Sequence, residues 1–225
     1  MRNILVPDNM KTVANACFTG KNPGADLGII AELFKTSRDQ IYLPIQKHTD
    51  KVVVIEASLE PVIADAVITK QKGLLIGVQV ADCVPVLLCD LKKQVVGAVH
   101  AGWRGTAEAI LKKTILTFYD KFFSDPADIQ VAIGPSIRQC CYEVDGEVIR
   151  AVSLATGNSD YFKSKGDKFC LDLAAANQVQ ALTAGVPEGN IWISDDCTFC
   201  SPEKFFSYRF AKGSTGRQAG FIGIL

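Results

Sequence analysis

The apolar positions of this chain fall into two regimes. At 52–55, 66–69, 74–80, 84–89 and 95–100 they form short, nearly continuous β-rich runs with few charges. Runs of this length predict strands, and the stretches 74–80 and 84–89 predict strands buried on both faces. Beyond residue 105 the spacing turns helical. Ala107, Ile110, Leu111, Ile115 and Phe118 make one stripe, which predicts a helix over 106–119 with Thr106 as its N-cap and Glu108 in its first turn. Segments 147–155 and 172–184 also read as helices, the second stopped by Gly185 and Pro187. Segments 129–133, 191–193 and 220–225 read as strands, and 27–34 as a short helix within a weakly patterned stretch, residues 1–45. Clustered strands followed by later helices predict an α+β fold rather than a doubly wound parallel sheet. With no repeat or linker, residues 1–225 read as a single domain.

The chain has 225 residues, 48% of them hydrophobic, enough for one substantial core. Lys plus Arg number 24 and Asp plus Glu number 24, so no net charge favours nucleic acid or an anionic membrane surface. The apolar patch at residues 4–7 is too short for a signal peptide, and no apolar run approaches the roughly 20 residues of a membrane span. Eight irregularly spaced cysteines in a chain of this size fit reduced thiols, which points to a cytoplasmic protein.

Only two histidines occur, His48 and His100, and Cys83 lies between them in sequence. Two imidazoles and a thiolate suit a zinc-type ion and leave a fourth position open. The bland alternative is a small buried cysteine and two packed or surface histidines. His100 is followed by Ala-Gly-Trp-Arg-Gly-Thr106. A strand-to-helix junction there would offer free backbone N–H groups and Arg104 to an anion, or be only a tight turn with a solvated arginine. Asp65 and Asp82 are carboxylates in apolar sequence. Each could orient a ligand histidine or move a proton, or bond only to turn backbone. Tyr208, Arg209 and Arg217 could face a ligand or belong to a surface hairpin. Cys197-Thr-Phe-Cys200 is a single CxxC pair. The spacing of Cys140-Cys141 is wrong for a zinc ribbon's second pair, so these cysteines read as structural or incidental.

The strings Ala81-Asp-Cys-Val-Pro85 and Val99-His-Ala-Gly-Trp-Arg-Gly-Thr106, with Gln46-Lys-His48 upstream, resemble the YfiH-like laccase-domain proteins. Further matches are Gly134-Pro-Ser-Ile137, Cys140-Cys-Tyr-Glu-Val144, Leu171-Asp-Leu173, Cys197-Thr198, Ser207-Tyr-Arg209 and Thr215-Gly-Arg217. The resemblance covers about residues 46–225. It implies a zinc ion on His48, Cys83 and His100 within a mixed β-sandwich flanked by helices. Formerly labelled multicopper polyphenol oxidases, these proteins are now regarded as purine nucleoside phosphorylases with side activities. Residues 1–45 depart from the pattern: Phe18–Gly28 is a shortened remnant, without the family's Asn-Arg pair.

The older label can be tested by counting ligands. A four-copper laccase needs a cluster held mainly by imidazoles, and two histidines cannot supply it. A single copper would need Met1 or Met10 as its weak axial ligand, so zinc is the expected ion and copper the weaker one. The resemblance therefore implies phosphorolysis of adenosine or inosine, with adenosine deamination as a side activity. Catalytic roles fall to Cys83, His100 and Asp82, and substrate contacts to Arg104, Tyr208 and Arg209. Two other readings stay open: a cysteine hydrolase using Cys83 and His100, and a non-catalytic, metal-stabilised binding protein.

Overall fold

The computed structural model describes residues 3–11, 14–56 and 59–224. The elements run β1 (Ile4–Leu5), β2 (Asn15–Thr19), α1 (Leu27–Phe34), β3 (Ile41–Tyr42), β4 (Val52–Ile55), β5 (Ala66–Thr69), β6 (Leu75–Val80), β7 (Val84–Asp90) and β8 (Val95–Ala101). They continue with α2 (Trp103–Ala107), α3 (Ile110–Phe122), β9 (Gln130–Ile133), β10 (Glu143–Val144), α4 (Gly146–Thr156), β11 (Phe162–Lys165), β12 (Lys168–Leu171), α5 (Leu173–Thr183), β13 (Ile191–Ile193) and β14 (Gln218–Gly223). Met1 and Leu225, the second of which closes the expected last strand, lie outside the described residues.

Two large mixed sheets face each other. One has the order β1-β2-β14-β6-β3, the other β13-β9-β7-β8-β5-β4, and a small sheet β10-β12-β11 stands apart. Alternation along the central strands explains the layering. In β7, Val84, Val86 and Leu88 join the core shared with α3 and α5 residues such as Leu111, Phe118 and Ala176. Leu87 and Cys89 point the other way, into the inter-sheet core with Phe18, Ile76, Val96 and Ile222. β7 and β8 are therefore almost wholly apolar, with Asp90 and His100 the exceptions near their ends, because both their faces are covered. On the outer side of the first sheet, Ile30 of α1 packs with Leu75 and Phe221. The fold is α+β, a sandwich with helices outside each sheet.

The junction after β8 differs from the expected helix over 106–119. A short helix starts at Trp103, Ala109 adopts a left-handed φ of 56°, and α3 begins only at Ile110. Thr106 is not an N-cap. It is buried, and its hydroxyl accepts a hydrogen bond from Asn177 of α5 at 3.0 Å. Strands β2 and β3 and the small sheet fall where the apolar pattern was weak; β11, Phe-Lys-Ser-Lys, is mostly exposed, and pairing with β12 rather than burial defines it. Among the described residues no helix is long and apolar enough to cross a membrane.

Candidate metal centre and active-site cavity

One end of the sandwich gathers the sequence's candidate residues. β6 of the first sheet runs into a sharp turn at Ala81-Asp82-Cys83 that carries the chain into β7 of the second, Asp82 holding a φ of 84°. His100 lies near the end of β8, opposite Pro85 of β7. His48 sits in the loop after β3, also with a positive φ, 57°. That loop is pinned to β6 by Gln46, whose side-chain amide donates to the Gln79 carbonyl and accepts from its N–H, both at 2.8 Å.

Asp65, fully buried just before β5, organises both histidines. Its Oδ1 accepts from the backbone N–H of His48 at 3.0 Å and lies 2.7 Å from Nδ1 of His100. Its Oδ2 accepts from the N–H groups of Lys47 and Thr49 and from the Thr49 hydroxyl. Burial opposes ionisation, but the bonds from His100 and Thr49 outweigh it and hold the Asp65 carboxyl well below its usual range. The left-handed loop at His48 is thus held by a carboxylate that also fixes the His100 ring, with Nδ1 bonded to Asp65 and Nε2 turned toward Cys83.

The ligand atoms of His48, Cys83 and His100 lie within 4.8 Å of one another. Cys83 Sγ is 3.9 Å from His48 Nε2, and the two imidazoles meet edge to face with centroids 4.8 Å apart. Burial alone would raise the Cys83 thiol. The charge and hydrogen bonds of His100, with His48, override it and lower the thiol to about 6. Burial likewise disfavours protonated His100, but the Cys83 charge and the Asp65 bond raise it to about 9. Gly102 completes the cradle. A Cβ there would stand 3.1 Å from Cys83 Sγ and from His48 Cδ2, and 3.9 Å from His100 Nε2, so the absence of a side chain preserves the space between the three donors.

These donors form part of the wall of a cavity of about 680 Å³, which Gln46, Gln79, Asp82, Trp103, Ile137, Tyr142, Tyr208, Arg209 and Arg217 also line. Burial, then the nearby Cys83 charge, pushes the Tyr142 phenol up to about 12, so it is neutral. Arg209 lies over the Tyr142 ring at 5.2 Å. Asp82 is buried and has both oxygens engaged: Thr198 donates its hydroxyl at 2.6 Å and Arg209 its backbone N–H at 2.7 Å. Arg104 is exposed and stacks over the Trp103 ring at 4.5 Å, outside the cavity lining. Met10 is buried in the inter-sheet core and cannot reach the site as an axial ligand.

A second group of ligands converges elsewhere. The sulfurs of Cys140, Cys141, Cys197 and Cys200 also lie within 4.8 Å of one another and could hold a metal ion. This corrects the expectation that Cys140-Cys141 cannot complement the CxxC pair: spacing along the chain hid a pairing made by a turn. Sequence reasoning also left Gln46, Trp103 and Tyr142 without roles. Their only signal was membership in the matched strings.

The profile of the family described as multi-copper polyphenol oxidoreductase laccase matches residues 25–225. The chain belongs to this family. A purine nucleoside phosphorylase of Clostridium acetobutylicum is 40% identical over 181 residues, 79% of this chain and 74% of that protein. The adenosine deaminase RL5 of an unknown prokaryotic organism is 38% identical over 83% of this chain and 75% of its own length. The purine nucleoside phosphorylase YlmD of Geobacillus stearothermophilus is 39% identical over 162 residues, 71% of this chain, but the match spans only 59% of the relative. The crystal structure of the hypothetical protein YfiH of Bacillus licheniformis superposes with a TM-score of 0.92 at 28% identity, covering 99% of this chain and 97% of that one.

Proposed function

We propose that this chain is a zinc-dependent enzyme acting on purine nucleosides, by phosphorolysis of adenosine or inosine and with adenosine deamination as a side activity. The observation that carries the reading is the convergence of His48, Cys83 and His100 on the wall of the large cavity. The donor set fits zinc: one thiolate held ionised, two imidazoles, one of them oriented by a carboxylate, and a glycine where a side chain would intrude. Bound there through three protein ligands, zinc would supply a Lewis acid with an open position. Relatives named purine nucleoside phosphorylase and adenosine deaminase support the substrate class.

The protein's own groups have separate tasks in this reading. Trp103 and Tyr208 offer ring faces for the purine. Arg209 and Arg217 offer guanidinium groups for phosphate. In phosphorolysis a phosphate oxygen bonds to ribose C1′ as the C1′–N9 bond breaks, and the departing base takes its electron pair and a proton. Tyr142, neutral and cavity-facing, is suited to donate that proton. Asp82 is a positioning residue, because its oxygens hold Thr198 and the backbone of Arg209 in place. Arg104 contributes by backing the Trp103 ring.

Zinc-loaded protein incubated with inosine or adenosine and phosphate should release free base and ribose 1-phosphate, and ammonia from adenosine. Absence of turnover on every purine nucleoside by fully loaded protein overturns the reading. One observation favours a second: Cys83, His100 and Asp65 also make a thiol–imidazole–carboxylate series, with the thiol lowered to about 6. A cysteine hydrolase predicts metal-free activity abolished by thiol alkylation.

A further inference from the structure

The four cysteines outside the cavity come from two loops. Cys140 and Cys141 lie in the turn between β9 and β10, and Cys197 and Cys200 in the turn after β13. The loops are joined by a bridge between Ser136 and Cys197 and by the Thr198 N–H donating to the Ser136 carbonyl at 3.0 Å. Cys141 Sγ is 3.2 Å and Cys140 Sγ 3.6 Å from Cys200 Sγ, and all four sulfurs fall within 4.8 Å of one another. A tetrahedral zinc ion with Zn–S bonds of about 2.3 Å places its sulfurs about 3.8 Å apart. The thiols therefore already stand near the spacing of a single ion. A cluster of several irons would spread its thiolates around different metal atoms, farther apart than these. A disulfide would use two of the four sulfurs and give no account of the other pair.

The backbone supports the same assignment. Cys197 Sγ accepts the Arg138 N–H at 3.5 Å, and the N–H groups of Phe199 and Cys200 also point at it. A CxxC turn that wraps N–H donors around its first sulfur spreads the negative charge of a metal-bound thiolate.

We propose that Cys140, Cys141, Cys197 and Cys200 form a second, mononuclear zinc site of four thiolates. With every position filled by protein, the ion is a cross-link rather than a catalyst. It ties together one loop that lines the cavity and another that holds a lining residue in place. Tyr142, beside Cys141, lines the cavity, and Thr198, beside Cys197, donates to Asp82, the neighbour of Cys83.

The test is metal analysis of the full chain purified reduced and without chelator. About two zinc ions per wild-type chain are expected, about one in either Cys200→Ser or His48→Ala, and none in the double variant. Cobalt(II) reconstitution of the wild type gives a reading that needs no variant. A four-thiolate ion carries several times the sulfur-to-metal charge-transfer intensity of an ion with one thiolate, so a single weak species overturns the proposal. So does wild-type zinc of about one equivalent lost entirely on His48→Ala. If the His48 site is instead the part that fails, one ion remains that survives His48→Ala and disappears with Cys200→Ser.

Discussion

The molecule brings soft ligands together twice, in opposite settings. The His48–Cys83–His100 group has three donors on a cavity wall, with one histidine on a central strand and a buried carboxylate behind both histidines. The cysteine group has four donors on two turns, with Cys140 and Cys200 exposed. Residue type alone would class both as metal-binding. Ligand number and surroundings separate them: three donors facing a space of about 680 Å³ leave room for a reacting molecule, whereas four donors close the coordination shell. The contrast also extends to support. Asp65 fixes the first group through five hydrogen bonds, while the second depends on the path of two turns.

The strongest way to break this contrast is to remove the thiolate of the open group. Cys83→Ala should abolish nucleoside turnover and release one zinc ion while leaving the cysteine group's ion in place; activity assays and metal analysis on one preparation read both. Retained turnover would remove Cys83 from the reaction. Asp65→Asn keeps size but loses the charge that orients His100. It should weaken zinc at the open site by about 10–100-fold, the usual cost of losing such a partner, as measured by chelator competition. Affinity at the cysteine group should not change, and parallel weakening of both would mean that Asp65 acts through general stability. Tyr208→Ala should have the smallest effect. Removing one stacking face from a half-exposed aromatic costs about 1 kcal/mol, a roughly fivefold rise in KM with kcat held. An unchanged KM would place the purine elsewhere in the cavity.

Much of the frame was legible because burial leaves a local trace. β7 and β8 announce themselves as nearly unbroken apolar runs, since each is covered on both faces. The helical stripe from Ile110 to Phe118 is equally plain, although the helix starts at Ile110 rather than Thr106 and runs on to Phe122 rather than ending at Tyr119. Thr106 resembles a cap, yet a hydrogen bond from Asn177, 71 residues away, commits it to the interior. β2, β3 and the small sheet were missed because pairing partners define them, and pairing is not written in one strand. Among site residues, His48 and His100 were visible through their rarity and Cys83 through the matched strings. Arg104 shows the opposite: adjacency to His100 along the chain suggested a cavity contact, but its guanidinium stacks over the Trp103 ring and it is not among the residues that line the cavity.

Composition and short-range pattern determined a good deal. A chain with two histidines cannot build a four-copper centre, and its apolar runs require buried strands followed by packed helices. Tertiary structure decided what no window of the sequence contains. It set Asp65 against His100 across 35 residues and brought Cys141 to within 3.2 Å of Cys200 across 59. The reason is physical: burial and periodicity act over a few residues, whereas convergence of side chains depends on strand register and turn geometry, which exist only once the sheets have formed.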